Sequence, residues 1–346
     1  MFYQKIIKPI LFKTDPEWMH DRATKTGHFL GKFSLTRNLT RLFFNYDHPV
    51  LEQTVDGITY RNPVGLAAGF DKNAELTKII PAIGFGFEEI GTITGEACSG
   101  NPQPRLWRIP EKKSLRVYYG LKNDGCEAIA KRLQRTKNPL GISIGKTNSR
   151  ETVAINDGID DYCKAFRIME PLADYLTLNI SCPNTFGGEP FNEADKLELL
   201  LSKIDEIKTE KPIYLKFSPD METAQTDAIL EAVKKHNVQG FVISNLTKKD
   251  GGKGGLSGLA TKNLSTTMIR HVYQKTKGKY TIIGCGGIFN GGDAYEKIKA
   301  GASLVQLITG MIYGGPATIK RINRELVLLL KKDGYKNIKE ARGKEN

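Results

Sequence analysis

Residues 212–245 read PIYLKFSPDMETAQTDAILEAVKKHNVQGFVISN, and this stretch contains the repeating unit that decides the fold. The short apolar runs at 212–217 and 240–244 have the length of buried strands. Between them, residues 223–236 have apolar positions at the spacing of an amphipathic helix. A strand, a helix and a second strand in this order predict a βαβ unit whose two strands lie parallel.

The same alternation begins at Pro63 and continues through most of the chain. The predicted strands are 64–68, 87–91, 140–144, 175–180, 212–217, 240–244, 281–284 and 304–308. The predicted helices between them include 75–83, 127–134, 161–169, 193–208, 223–236, 261–275 and 292–300. Eight such strands are the number in a (β/α)8, or TIM, barrel, an α/β fold of about 250 residues. No Gly/Ser-rich linker divides the set, so residues 46–331 are predicted to form one barrel domain, and the polar tail 332–346 is predicted to fray.

Two apolar segments at 51–55 and 58–61 flank Asp56-Gly57. This dipeptide favours a type I′ turn, because both central residues of that turn need positive φ. We therefore expect a β-hairpin before the first barrel strand, placed where it closes the barrel floor.

Residues 1–45 are predicted to form an amphipathic helical arm. Apolar residues from Phe2 to Leu11 recur at helical spacing, although Pro9 must break or reset the helix, and Asp15-Pro16 has the pattern of an N-cap followed by N1. Through residue 46 the arm carries eight Lys/Arg against three Asp/Glu. Basic, aromatic-bearing helices too short to span a bilayer suit a membrane interface. A helical lid packed on the protein's own barrel is the alternative.

Composition narrows the function classes. The net charge of +13 is compatible with nucleic acid, an anionic membrane surface or an acidic small molecule as partner, or with a lysine-rich solvated exterior. No segment has the roughly 18 uninterrupted apolar residues of a spanning helix, and Lys5 and Lys8 interrupt any signal-peptide core. The five cysteines include no C-x-x-C pair, so neither a metal site nor a disulfide framework is indicated, and a cytoplasmic location is expected.

In such barrels the active site lies at the C-terminal ends of the strands. Glycine clusters follow the last strands, at 284–287 and 310, and a further one lies at 254–258. Glycines let backbone N–H groups approach an anion, so these clusters predict a phosphate site. They do not spell G-x-G-x-x-G, because position 289 is Phe, and a dinucleotide-binding fold gains no support.

Two lysines stand at strand ends. Lys216, near the end of the fifth strand, could face the barrel mouth and pair with an anion such as the N1–C2=O edge of a reduced flavin, or it could lean outward as a surface residue. Lys72 could bind a substrate carboxylate, or it could form a structural salt bridge with Asp71.

Cys182 is the strongest single candidate for catalysis. It lies in the loop after the fourth strand, beside Pro183 and between Asn179 and Asn184, whose amides can hydrogen-bond a planar polar substrate. A thiol with a reference pKa of about 8.5 can act as a general base near neutral pH. A small buried hydrophobe is the default alternative for a lone cysteine.

Motifs spread over nearly the whole chain resemble those of the dihydroorotate dehydrogenases, and specifically of the membrane-associated, quinone-using class 2. They are GLAAGFDK at 65–72, EIGT at 89–92, NPQPR at 101–105, NISCPNT at 179–185, GGLSG at 254–258 and AGASLVQ at 300–306. The resemblance implies oxidation of (S)-dihydroorotate to orotate in pyrimidine biosynthesis. It also implies electron transfer to a membrane quinone by a protein attached peripherally to the inner face of the cell membrane.

The resemblance further implies FMN at the barrel mouth and assigns roles to individual residues. Cys182 would remove a C5 proton while hydride passes from C6 to the flavin. The substrate would contact Lys72, Asn179, Asn184 and Asn245. FMN would contact Ala68, Gly69, Thr92, Ser143, Asn179, Lys216, Ser244, Gly258, Gly286, Gly287, Thr309 and Gly310. His20 and Arg108 match polar residues of the family's quinone tunnel.

Four positions depart from the class 2 pattern. Cys182 stands where class 2 has serine, Val117 and Ser143 replace asparagines, and Leu246 replaces a threonine. A substrate group left unmatched at 117 costs about 1–3 kcal/mol, so either Lys122 or Asn123 compensates or the substrate differs.

These departures keep other functions open. A paralogous FMN enzyme acting on another dihydropyrimidine-like or unsaturated substrate is the first alternative. A tRNA dihydrouridine synthase-type flavoenzyme is the second, although its RNA-binding domain has no counterpart after residue 330 and nucleic acid is not the expected partner. A non-catalytic barrel that binds a phosphorylated ligand is the third.

Overall fold

The computed structural model describes residues 3–182 and 184–345, so Phe2 of the predicted arm and Pro183 of the Cys182 loop lie outside the described residues. The strands are β1 (Gln53–Val55), β2 (Ile58–Tyr60), β3 (Val64–Leu66), β4 (Phe87–Ile93), β5 (Leu106–Ile109), β6 (Ser114–Val117), β7 (Leu140–Ile144), β8 (Tyr175–Leu178), β9 (Ile213–Phe217), β10 (Gly240–Ile243), β11 (Gly255–Gly258), β12 (Thr281–Cys285) and β13 (Leu304–Leu307). The helices are α1 (Lys8–Leu11), α2 (Pro16–Lys32), α3 (Ser34–Phe44), α4 (Ile80–Ile83), α5 (Cys126–Arg132), α6 (Ile155–Met169), α7 (Ala194–Asp205), α8 (Thr223–Ala232), α9 (Lys262–Lys275), α10 (Gly291–Lys299), α11 (Thr309–Gly314) and α12 (Thr318–Lys332).

The eight predicted strands form a closed parallel barrel, which confirms the predicted fold class. The order around the barrel is β3, β4, β7, β8, β9, β10, β12 and β13, and β13 then pairs with β3. The barrel strands are buried along almost their whole length, because helices cover their outer faces and side chains fill the interior.

The predicted hairpin is present as β1 and β2. Asp56 and Gly57 have φ of 47° and 80°, as a type I′ turn requires. Tyr60 of β2 is fully buried with its ring 5.2 Å from that of Phe87, and the hydroxyl of Tyr214 donates to Asp56 at 2.7 Å. The hairpin therefore closes the N-terminal end of the barrel with aromatic side chains.

The predicted helix at 75–83 is wrong over most of its length, since only Ile80–Ile83 is α-helical. Ala74 has a left-handed φ of 59°, which a continuing helix does not allow. The Asp71 carboxylate accepts hydrogen bonds from the backbone N–H groups of Glu75 and Leu76 at 2.8 and 2.7 Å. These contacts organise residues 71–79 as a loop that positions Lys72.

An antiparallel sheet beside the barrel mouth was not predicted. Strand β6 pairs with β5 on one side and with β11 on the other. The connection between β5 and β6 is a short 3-10 turn at Pro110–Lys112, followed by Lys113 with a left-handed φ of 44°. The sheet adds a wall above the ends of the barrel strands.

The arm is helical, as predicted, and its Asp15 N-cap is confirmed: the carboxylate accepts from the Trp18 N–H at 2.8 Å. The helix is not interrupted at Pro9. Instead, its geometry changes just before the proline, from a π-helical turn over Tyr3–Ile7 to an α-helix that begins at Lys8. A Cβ on Gly27 would lie 2.6 Å from a methyl carbon of Leu76. This glycine therefore allows α2 to pack closely on the barrel.

The other side of the arm is apolar and exposed. Its exposed side chains are Ile6, Ile10, Trp18, Phe29, Phe33, Leu35, Leu39, Leu42 and Phe43, with Leu35 77% and Leu42 72% exposed. Within residues 3–182 and 184–345, every helix is too short or too polar to cross a bilayer. The arm thus covers the barrel with one face and presents an apolar surface with the other.

The expectation that the tail frays is wrong for the described residues up to 345. Ile338 and Ala341 are buried in the hydrophobic core. The guanidinium of Arg342 donates to the backbone carbonyls of Gly301 and Tyr280 at 3.0 and 2.8 Å. Ile338, Ala341 and Arg342 thus hold the tail against the barrel, although the rest of its composition is polar.

Candidate active site

A cleft of about 930 Å³ lies at the C-terminal end of the barrel, and a second cavity of about 490 Å³ adjoins it. The residues that line both are Ala68, Lys216, Asn245, Leu246, Ser257, Ile308 and Thr309. Of the predicted site residues, the cleft is lined by His20, Ala68, Gly69, Lys72, Thr92, Asn179, Cys182, Asn184, Lys216, Asn245 and Thr309. The second cavity is lined by Ala68, Lys216, Ser244, Asn245, Gly258, Gly286, Gly287, Thr309 and Gly310.

Asn179, directly after β8, is the centre of the amide network. Its Nδ2 donates to Thr92 Oγ1 at 2.8 Å, and its Oδ1 accepts from Asn245 Nδ2 at 3.2 Å. Asn245 Nδ2 also donates to the Ser181 carbonyl at 2.9 Å. These bonds fix both amides in place along one wall of the cleft.

Two of the sequence-predicted residues lie outside both cavities. Ser143 is fully buried on β7, and its hydroxyl lies 2.9 Å from Thr92 Oγ1, so it supports Thr92 from below and does not face the cleft. Arg108 on β5 donates to the carbonyl of Thr14 at 2.6 Å and lies 4.9 Å from the Phe12 ring centroid. It ties the arm to the β5–β6–β11 sheet, whereas His20 lines the cleft itself.

Lys72 faces the cleft and makes no ion pair with Asp71, whose carboxylate is taken up by backbone N–H groups. The Lys72 ammonium lies 3.2 Å from His20 Nε2 and 4.1 Å from the Tyr119 ring centroid. Burial and the neighbouring ammonium of Lys122 lower the pKa of Lys72 to about 8. Burial and Lys72 hold the pKa of His20 well below its ordinary value, so the imidazole is neutral and accepts the lysine's hydrogen bond.

Cys182 is half-buried at the cleft wall, so it is not a core side chain. Burial raises the pKa of its thiol to about 11, while the Asn184 backbone N–H and the charges of Lys248 and Lys216 act in the opposite direction. The thiol therefore holds its proton at neutral pH, and its basicity once ionised is correspondingly high.

Lys216 is only 4% exposed and lines both cavities, so the surface-lysine alternative is wrong. Within the described part of the chain its ammonium has no hydrogen-bond or ion-pair partner at all. A buried cation without a partner costs free energy unless an anion binds beside it. This ammonium fits the electron-rich edge of a reduced flavin ring.

The glycine-lined end of the second cavity fits a phosphate. A Cβ on Gly310, at the start of α11, would lie 1.9 Å from the Ile288 carbonyl oxygen. Gly287 has a left-handed φ of 72°, and a Cβ there would lie 2.4 Å from Cβ of Lys262. Backbone N–H groups thus line this end without side chains in front of them, as an anion site needs.

Of the positions that depart from the class 2 pattern, Val117 and Leu246 line the cleft, as Cys182 does, whereas Ser143 does not. The Val117 carbonyl accepts from Asn184 Nδ2 at 3.1 Å, while the buried Asn184 Oδ1 has no partner among the described residues. Lys122 lines the cleft, whereas Asn123 is bonded internally to Thr94 Oγ1 at 2.8 Å. Of the two proposed compensating residues, only Lys122 can reach a ligand.

Sequence reasoning missed the apolar cleft residues Leu106, Leu115 and Tyr119. The first two belong to β5 and β6, which were not predicted. The signal that could have identified β5 is a short run containing Trp107 and Ile109, two residue types common in strands, bounded by Pro104 and Pro110.

Residues 50–330 match the family model described as "Dihydroorotate dehydrogenase". The chain belongs to the dihydroorotate dehydrogenase family. Proteins named "Dihydroorotate dehydrogenase (quinone)" from Nostoc punctiforme and Gloeobacter violaceus are each 38% identical to it, over 99% and 98% of this chain and 98% of their own length. A dihydroorotate dehydrogenase from Eimeria tenella, solved with ferulenol, superimposes with a TM-score of 0.83 at 29% identity, covering 96% of both chains.

The family is generally flavin-dependent, and its relatives named for quinone match this chain from end to end. The similarity thus includes the helical arm as well as the barrel.

Proposed function

We propose that this protein oxidises (S)-dihydroorotate to orotate in pyrimidine biosynthesis, with FMN as the bound flavin and a membrane quinone as electron acceptor. The observation that carries the proposal is the common cleft of Cys182, Lys72 and three asparagines, which opens beside Lys216 into the glycine-lined cavity. For a planar, anionic dihydropyrimidine, a cation can bind the carboxylate, amides can bind the ring, and a thiol can remove a proton.

FMN is favoured by the shape and charge of the two connected cavities. The glycine-lined end suits a single terminal phosphate, and Lys216 suits the flavin ring. Thr92 and Asn179 are held by hydrogen bonds on the adjoining wall. When bound, FMN would supply the redox chemistry, as acceptor of hydride from substrate C6 and as donor of two electrons to quinone.

The chain's own residues supply the remaining chemistry. Lys72 binds the substrate carboxylate, and the amides of Asn179, Asn184 and Asn245 orient the ring so that its C5 proton faces Cys182. The Cys182 sulfur, as thiolate, takes that proton. The unpartnered Asn184 Oδ1 accepts a ring N–H, which removes the cost of leaving it buried and unbonded.

The helical arm provides the path by which quinone reaches the flavin. His20 on α2 and the apolar residues Leu106 and Ile312 line the same cleft, so an apolar path leads from the arm to the flavin position. The exposed apolar face of α3, together with the basic excess of the arm, supports peripheral attachment to the inner face of the cell membrane.

A paralogous activity is the second candidate, because Val117 and Leu246 present apolar walls where amide or hydroxyl groups would bond dihydroorotate. Steady-state assays separate the two. The purified holoenzyme should release FMN when it is denatured. In its native form it should produce orotate from dihydroorotate with ubiquinone or menaquinone, and not with NAD or fumarate. Turnover of another dihydropyrimidine in the absence of orotate formation would favour the paralogue.

A further inference from the structure

Lys122 lies at the end of the cleft that binds the substrate carboxylate in the proposed function. Two consecutive left-handed residues, Gly120 and Leu121 with φ of 63° and 57°, turn the chain immediately before it. The Lys122 side chain, 38% exposed, then lines the cleft and also an adjoining cavity of about 510 Å³ beneath α2. Lys72 lines the same two cavities.

The carboxylate that contacts Lys122 belongs to Glu17, and it already forms an ion pair with Arg105. Glu17 of α2 receives hydrogen bonds from Arg105 Nε at 3.1 Å to each oxygen and from Nη2 at 2.8 Å, and both side chains are 7% exposed. The Lys122 ammonium is farther away, at 3.5 Å from Glu17. Glu17 is therefore primarily the partner of Arg105.

The ammonium groups of Lys72 and Lys122 repel each other at this end of the cleft, and burial and this repulsion together lower the pKa of Lys72. The carboxylates that act on Lys72 are Asp21, Glu17 and Asp71, but Glu17 is paired with Arg105 and Asp71 accepts hydrogen bonds from backbone N–H groups. The neutral His20 does not offset the repulsion. An anion that lies between the two ammonium groups relieves it.

The opposite walls offer few polar contacts. Val117 and Leu246 contribute no side-chain hydrogen bonds to a ligand, so charge must account for more of the binding there. We propose that Lys122 is a second carboxylate-binding residue, which brackets the carboxylate of dihydroorotate together with Lys72 and offsets the hydrogen bonds absent at 117 and 246. This inference rests on the proposed function and assigns the specificity of the same site.

The consequence is a strong preference for ligands that carry the carboxylate. A neutral analogue with the same ring, such as the methyl ester of orotate, meets apolar walls and gains nothing from the paired cations. Lys122→Gln therefore weakens orotate binding and raises the KM for dihydroorotate by roughly 10- to 100-fold, the range for one charged hydrogen bond. Flavin reduction at saturating dihydroorotate changes by less than about threefold, because Lys122 binds the carboxylate and takes no part in the proton transfer to Cys182.

The experiment measures the Kd of orotate and of its methyl ester through the perturbation of the flavin spectrum in holoenzyme. Lys122→Arg, which keeps the charge, should restore most of the orotate affinity. Lys25→Gln is the matched control, since Lys25 lines the adjoining cavity and not the cleft. We expect that control to leave both Kd values within about twofold of wild type.

Two results would overturn the inference. Unchanged orotate affinity in Lys122→Gln would remove Lys122 from the site, and equal weakening of orotate and its ester would mean that it acts only by supporting the arm through Glu17. Failure of the proposed function looks different, because the wild-type flavin would then not be reduced by dihydroorotate at all.

Discussion

The two ends of the active-site cavity are built differently. The glycine-lined end, where we propose that FMN binds, is defined by backbone, because at Gly287 and Gly310 any Cβ would collide with neighbouring atoms. The substrate end is defined by side chains: Val117 and Lys122 lie there, and Leu246 lines both cavities. A side chain can change without moving the backbone, so binding preference can shift at one end while the cofactor site at the other end stays intact.

Gly310→Ala should abolish flavin binding. The added methyl would lie 1.9 Å from the Ile288 carbonyl oxygen and would push apart the loop and helix that line the proposed phosphate site. We expect protein purified without flavin and without turnover, measured by absorbance and by orotate formation. Gly292→Ala, where the methyl would meet only the Asn290 side-chain oxygen at 3.1 Å, is the control. Full flavin content in Gly310→Ala would refute this account of the cradle.

Cys182→Ala should slow flavin reduction by dihydroorotate roughly 100-fold or more, the scale of a lost general base, with flavin still bound. Anaerobic stopped-flow absorbance gives the rate. Cys182→Ser retains a side chain that can accept the proton and should lie between alanine and wild type. If alanine reduces at the wild-type rate, another group is the base.

The roles of Cys182 and Lys72 should be distinguishable by their effects on two pH profiles, that of the flavin reduction rate and that of the Kd of orotate. Since the reactive form of Cys182 is deprotonated and its pKa is raised to about 11, the rate of flavin reduction should rise with pH up to that value, approaching tenfold per unit. Lys72, with a pKa of about 8, loses its charge over the same range, so the Kd of orotate should increase above pH 8. A reduction rate that is flat from pH 7 to pH 10 would contradict the thiol base.

Changes on the exposed face of the arm should weaken membrane binding and leave the rate of flavin reduction unchanged. The double change Leu39→Glu and Leu42→Glu places two charges on the exposed face of α3 and should lower binding to anionic vesicles by about tenfold, while reduction by dihydroorotate stays at the wild-type rate. Leu199→Glu, at an exposed leucine on α7, is the matched control. Vesicle binding unaffected by the double change would exclude this face as the membrane contact.

The barrel was predictable because each strand is a short apolar run and each helix an amphipathic segment, so local pattern and tertiary burial agree. The β5–β6–β11 sheet was not, because β5 and β6 are short, partly exposed strands and the strand that completes the sheet, β11, lies far from them along the chain. Residue types at strand ends identified Cys182, Lys72 and Lys216. They could not tell that Ser143 and Arg108 face away from the cleft, since that depends on packing by Thr92 and by the arm.

Anaerobic titration of the wild-type holoenzyme with dihydroorotate tests the central claim most directly. If the thiol, the cation and the amides meet the flavin in one cleft, each equivalent of dihydroorotate reduces one equivalent of flavin and yields one equivalent of orotate. A flavin that stays oxidised in excess dihydroorotate would contradict the account.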